Sequence, residues 1–140
     1  MMKIERMRKR SKGFTLIEAM VTVTIIGLIA AVAWPAFESQ AMKNRRTEAV
    51  NAISRVAAEL QDYHADNLTY LGYVASPAIT NGLVNYQVNT NLAAGTYTIV
   101  LTAINGMAAD AECTSFTLNN LGRKGFTGDA PSVQRCWGTN

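Results

Sequence analysis

Apolar and polar positions divide the chain into three stretches of different texture. The first runs from Phe14 to Val32 as FTLIEAMVTVTIIGLIAAV and continues through Ala33 and Trp34, with Glu18 as the one charge inside it. A helix over Phe14–Trp34 would be roughly 31 Å long, enough to cross the hydrocarbon core of a bilayer. Trp34 then falls at the far end, where aromatic side chains favour the membrane interface. Pro35 follows and removes one helical hydrogen bond, so a kink or local melting is expected near residues 31–35. In the second stretch, Glu38 to Asp66, there are almost no helix breakers, and Ala49, Ile53, Val56, Leu60 and Tyr63 recur at helical spacing to form one apolar stripe. Lys43, Arg45, Arg46, Glu48, Arg55, Glu59 and Asp62 fall mostly off that stripe.

The third stretch changes period. Asn67 to Asn85 is rich in Gly, Asn, Ser and Pro, with Gly72, Pro77, Asn81 and Gly82 as punctuation, and reads as a connecting loop pinned to the core by Tyr70, Leu71 and Tyr73. Strands follow. Tyr86–Val88 is a short one, and Thr96–Ala103 is the clearest, with Gly95 before it and Asn105-Gly106 after it. Cys113–Leu118 alternates, and Asn119-Asn120-Leu121-Gly122 closes it as a turn. An antiparallel meander packed on the helical stripe is the simplest assembly, which makes the expected class α+β.

Charge sharpens this picture. The protein as a whole carries +3, but residues 1–13 hold Lys3, Arg6, Arg8, Lys9, Arg10 and Lys12 against Glu5, and the remainder holds seven basic and nine acidic side chains. The basic character therefore belongs to the N-terminal leader, where Lys and Arg beside an apolar segment hold that end in the cytoplasm. Lys43, Arg45 and Arg46 make a smaller cluster just beyond the apolar run, either a solvated helix face or a contact for anionic lipid or a neighbour's acids. Cys113 and Cys136 are too few for a four-ligand zinc site. In an exported protein they are expected to pair as a disulfide, the alternative being two separate buried thiols. Pairing would close a loop of 22 residues and contribute on the order of 3 kcal/mol, which matters for a tail carrying Gly122, Gly125, Gly128 and Pro131. His64 is the only histidine and has no partner ligand at metal spacing. Without a phosphate-binding glycine loop or a nucleophile–base pair, the protein is expected not to be an enzyme, and no cofactor or metal is implied.

A secretory signal peptide would be cut after its apolar run, behind small residues, and no such site is evident here. An ordinary signal anchor has no use for Glu18, since a carboxylate in lipid costs about 2.5–3.5 kcal/mol on insertion scales and calls for a partner. The run Lys12-Gly13-Phe14-Thr15-Leu16-Ile17-Glu18, followed by the apolar helix, resembles the class III leader of type IV prepilins and pseudopilins. Further on, Cys113-Thr114-Ser115-Phe116-Thr117-Leu118, then Gly122, then Cys136-Trp137, is most similar to the minor pilins of the PilE type.

The resemblance implies residues 1–13 as a cleaved leader, 14–34 as transmembrane helix and polymerisation segment, and 35–140 as a periplasmic or extracellular head with a disulfide-closed C-terminal loop. A prepilin peptidase that is also the N-methyltransferase would cut Gly13–Phe14 and methylate Phe14. Glu18 would then either pair with the Phe14 amine of a neighbouring subunit or cap its own first helical turn. The implied partners are that enzyme, other major and minor pilins, the inner-membrane assembly platform and membrane lipid. The subunit would be single-pass in the bacterial inner membrane, N-terminus in the cytoplasm, before assembly into a filament for adhesion, twitching motility or DNA uptake. Two alternatives stand beside this. One is a type II secretion pseudopilin in a periplasmic pseudopilus, which an acidic calcium-binding loop would favour, although Asp110, Glu112 and Asp129 are scattered. The other is a DNA-binding competence minor pilin, with nucleic acid contacted by Arg123, Lys124 and Arg135.

Overall fold

A computed structural model describes residues 13–138. The basic residues expected to form a leader, including Lys12, lie outside the described residues. The protein divides into two compact units, Met1–Glu38 and Ser39–Asn140. Helix α1 is Leu16–Asn67. It runs without a break through Pro35, so of the two outcomes expected there, a kink or local melting, the helix does not melt. In the first unit its large apolar side chains are exposed, from Leu16 through Ile29 and Val32 to Trp34 and Phe37, as is Phe14 just before it.

The second unit has its own core. From Ala49 onward α1 buries Ala49, Ile53, Val56 and Leu60 of the expected stripe and adds Ala52, while Tyr63 is half-buried. These pack with Tyr86, Tyr97, Ile99, Leu101, Met107 and Phe116 from the other half of the sequence. A short helix α2 (Pro77–Thr80) lies in the connecting loop, started by Pro77 at its first position, where the missing N–H costs nothing. Tyr70 and Tyr73 pin that loop to the core, as expected. Tyr70 is wedged between the His64 ring, stacked at 4.3 Å, and the Tyr97 ring, edge-on at 4.9 Å. Leu71 does not join them and is 53% exposed.

The sheet is a four-stranded antiparallel meander in the order β1 (Tyr86–Leu92), β2 (Tyr97–Ala103), β3 (Ser115–Asn119), β4 (Lys124–Thr127). In β2 the alternation is plain, with Tyr97, Ile99 and Leu101 buried and Thr98 and Val100 half-buried between them. β1 is longer than the expected Tyr86–Val88. Its register with β2 runs to Leu92↔Tyr97, so pairing carries Asn89, Thr90 and Asn91 into a strand, against the low strand propensity of asparagine. The turn after β3 forms where expected. Gly122 takes φ +72, and the Asn119 side chain accepts hydrogen bonds from the N–H groups of Leu121 and Arg123.

Two elements have no local signal in the sequence. β4 is four residues long and includes Gly125, and Trp137 Nε1 donates to the Gly125 carbonyl at 2.9 Å. Helix α3 (Val133–Trp137) ends on Gly138 at φ +65, the usual left-handed stop. Between them the backbone passes close to the β2–β3 connection. Asp129 N–H donates to Ala111 O and Ala130 N–H to Glu112 O, and a side group at Gly128 would run into the Glu112 carbonyl.

Candidate functional site

Two arrangements in the structure concern function, one in each unit. At the start of α1, Thr15 caps the first turn. Its Oγ1 accepts from the Glu18 N–H at 3.3 Å, and its carbonyl accepts from the Ala19 N–H. Thr15-x-x-Glu18 has the spacing of a capping box, but only the threonine half is made. The Glu18 carboxylate forms no hydrogen bond or ion pair among the described residues, and the residue is exposed. Gly13 and Phe14 precede the helix in non-helical backbone, both exposed. Thr22 and Thr24 turn their hydroxyls back to the carbonyls of Glu18 and Met20, which hides polar atoms along an otherwise apolar surface. Trp34 Nε1 donates to Glu38 Oε1 at 3.1 Å, one turn past the apolar run. α1 is long and apolar enough to cross a membrane.

In the head, Arg46 departs from the expectation set by its charge. That charge groups it with Lys43 and Arg45 on a polar helix face, yet it is buried, with 7% of its surface exposed. Its guanidinium forks onto Asp110, Nε to Oδ2 at 2.8 Å and an Nη to Oδ1 at 2.7 Å, and the same Nη reaches Glu112 at 2.9 Å. Asp110 is itself buried and also accepts from the backbone N–H groups of Glu112 and Cys113. Glu112 bridges onward to Arg135 of α3 at 3.2 Å. The charge ladder thus joins α1, the β2–β3 connection and α3. Beside it Cys113 and Cys136 form a disulfide with Cα atoms 5.8 Å apart, so the residues preceding each cysteine, Glu112 and Arg135, are paired as well. The Tyr86 hydroxyl is buried without a hydrogen-bond partner among the described residues, and burial pushes its ionisation up.

These contacts shift ionisation in a direction that can be checked. Arg135, then Arg46, hold the Glu112 carboxyl below its usual range. Hydrogen bonding by Ser76, together with the Tyr73 hydroxyl at 2.7 Å and the charge of Arg55, does the same for Glu59. A carboxylate with a lowered folded pKa stabilises the fold above its unfolded pKa, and this is lost as pH falls through the folded value. The urea midpoint of the head is therefore expected to be level above about pH 5 and to fall below about pH 4.3. Glu112→Gln should start lower and fall less steeply.

The three basic residues considered for nucleic acid are not equivalent. Arg123 is exposed in the β3–β4 turn. Lys124 holds its ammonium 5.2 Å from the centre of the Trp137 ring, and Arg135 is tied to Glu112. Asp110 and Glu112 are turned to Arg46 rather than toward a shared open loop.

Residues 8–34 match the family model described as the prokaryotic N-terminal methylation motif. Residues 35–117 match a second one, described as type IV minor pilin ComP, DNA uptake sequence receptor. The chain belongs to the type IV minor pilins. Among curated relatives of this pilin, the fimbrial protein EcpC of Eikenella corrodens is 30% identical over 67% of this chain and 63% of its own length. The type IV major pilin PilE1 of Neisseria gonorrhoeae is 28% identical over 71% and 64%. The type II secretion system core protein G of Pseudomonas aeruginosa is 41% identical over 45% and 44%. The matched stretches thus span less than two thirds of each relative. Among solved structures, the non-core minor pilin PilV of Neisseria meningitidis is similar with a TM-score of 0.54 at 21% identity, covering 73% of this chain and 99% of that one, which speaks to the fold. The pilin fold expected from the sequence is therefore present, a long N-terminal helix whose second half packs on an antiparallel sheet, with a disulfide-closed tail. Pilins are structural subunits and not enzymes. The matched methylation motif and the apolar first half of α1 fit membrane anchoring.

Proposed function

We propose that this minor pilin is cut between Gly13 and Phe14, methylated on the new Phe14 amine, and held in the bacterial inner membrane by residues 14–34. From there it is passed by the assembly platform into a type IV pilus, with residues 35–140 as its head. The observation that carries this reading is the exposed apolar surface from Leu16 to Phe37 joined to the unpartnered carboxylate of Glu18. An apolar face of that length suits two environments in turn, lipid and then the helices of neighbouring subunits. In lipid Glu18 costs about 2.5–3.5 kcal/mol, which a neighbour's Phe14 ammonium offsets. Pro35 lacks the N–H that would bond the Ala31 carbonyl, a weak point at which the otherwise unbroken helix can bend. The type II secretion alternative draws on a relative matched over 45% of this chain, whereas the minor-pilin match spans residues 35–117. That difference favours the pilus.

Glu18→Ala is expected to be cleaved at the normal rate and to remain in membranes, but to be depleted from sheared filaments about tenfold or more. Wild-type levels in filaments would remove the intersubunit pairing.

A second reading, DNA binding during uptake, is favoured by the description of the matched family. The candidates Arg123, Lys124 and Arg135 all lie beyond the matched residues 35–117, so the match does not extend to them. The free position of Arg123 and the engaged one of Arg135 make the first the better contact. If the head binds duplex, its affinity should fall linearly on a log–log plot against salt, by about 0.9 per phosphate contacted. Arg123→Ala with Lys124→Ala should then flatten that slope by about 2. No binding at about 50 mM salt would exclude the reading.

A further inference from the structure

Two Asn-Gly pairs occur in the head, Asn81–Gly82 and Asn105–Gly106, and the fold treats them in opposite ways. In such a pair the backbone nitrogen of glycine can attack Cγ of the asparagine amide. The nitrogen gives its proton to water, the Cγ–Nδ2 bond breaks, and ammonia leaves behind a cyclic imide. One water then opens the ring to aspartate or isoaspartate, so an amide and water become a carboxylate and ammonium. Glycine allows this because no Cβ blocks the approach of its nitrogen. The reaction needs a free asparagine amide and a glycine N–H not already held.

Asn105 meets neither the first condition nor the mobility it requires. Its Nδ2, the leaving group, donates to the Val84 carbonyl at 2.6 Å. Its backbone, at φ +49, opens a 3-10 turn over Asn105–Met107, and its carbonyl accepts from the Ala108 N–H. Asn81 is the reverse. It is exposed and closes the four-residue helix α2, tied only through its own N–H to the Pro77 carbonyl. Its amide makes no hydrogen bond, and neither does the Gly82 N–H, among the described residues. Around Gly82 the nearest neighbour to an added Cβ would be the Ile79 carbonyl, at 3.8 Å.

We propose that Asn81–Gly82 is a site of spontaneous deamidation in the folded protein, and that the fold protects Asn105–Gly106. The product sets a new carboxylate at the rim of the groove between α1 and α2, which Glu48, Arg55, Ala78 and Gly82 line. A subunit kept in a long-lived filament would gain this charge with age, though the chemistry holds whether or not the subunit is assembled.

The test uses the full-length protein in detergent, aged in mildly alkaline buffer made with heavy-oxygen water. Chymotrypsin separates the two sites, because Tyr73 and Leu83 flank Asn81 whereas Leu101 and Phe116 flank Asn105. Heavy oxygen is expected in the Asn81 peptide roughly tenfold or more faster than in the Asn105 peptide, the factor set by an opening cost of about 1.4 kcal/mol at Asn105. In urea the two rates should converge. Gly82→Ala, at a position with room for a methyl group, should suppress labelling at Asn81. An unlabelled Asn81, equal rates in the folded protein, or undiminished labelling in Gly82→Ala would each overturn the proposal.

Discussion

A Gly13→Val variant is expected to accumulate in the membrane fraction at full precursor length, with the mature form falling below detection on an immunoblot and by N-terminal mass analysis. The expected loss is near complete because, in the proposed cut, the substituted residue itself supplies the scissile carbonyl. A peptidase that accepts glycine lets the backbone come close, and a β-branched residue at that position stands in the way. The structure makes the result interpretable. Gly13 lies outside α1, is exposed, and has nothing within 4 Å of a Cβ added there. Valine at this position should leave the helix and the head as they are. A block in processing therefore reports on the peptidase and not on folding. Normal cleavage of the mutant would remove the proposal that Gly13–Phe14 is the site. Glu18→Ala provides the complementary result, with cleavage retained and assembly lost.

Arg46→Leu is expected to cost the head about 3–5 kcal/mol, a large share of the roughly 5–15 kcal/mol that holds a small domain together. Asp110, with 3% of its surface exposed, would keep two backbone N–H groups and lose its buried cation. The cost reflects the stranded charge more than the worth of the pair. Arg46→Leu combined with Asp110→Ala should accordingly recover part of the loss. Arg135→Ala breaks only the half-exposed bridge to Glu112 and should cost no more than about 1 kcal/mol. Urea denaturation of the segment Ser39–Asn140, whose core lies within it, measures all three. The midpoint should move without a change in slope if the unfolded state is unaffected. A midpoint for Arg46→Leu within error of the wild type would show that the network is replaceable by solvent.

Arg46 also marks a limit of what periodicity and charge together can say. Positions 46, 49, 53, 56 and 60 continue one helical stripe, so the spacing already places Arg46 on the buried face. Its charge argues for solvent, and the acids that make burial tolerable lie 64 and 66 residues away in sequence. Leu71 departs in the other direction, since an apolar residue in a loop has no periodicity to say which way it turns. β4 and α3 escape a reading by pattern because each is short and has glycine in or beside it. β4 gains its order from pairing Phe126 with Phe116 across the register, and α3 is held by the disulfide and by the Trp137 bond to Gly125.

What the sequence determined by itself is what depends on neighbours along the backbone. That covers the basic cluster before an apolar run, the run from Gly13 to Glu18, the helix from Glu38 to Asp66, the buried stripe, and the turn after β3. Only the tertiary structure decided the rest: the fourth strand, the inward turn of Arg46, the coupling of Arg135 to Glu112, and the difference between two asparagines each followed by glycine. The physical reason is the same in each case. A local pattern fixes backbone preference and periodicity, whereas a buried charge, a short strand or a restrained amide is tolerable or reactive only through groups that folding brings to it from far away in the sequence.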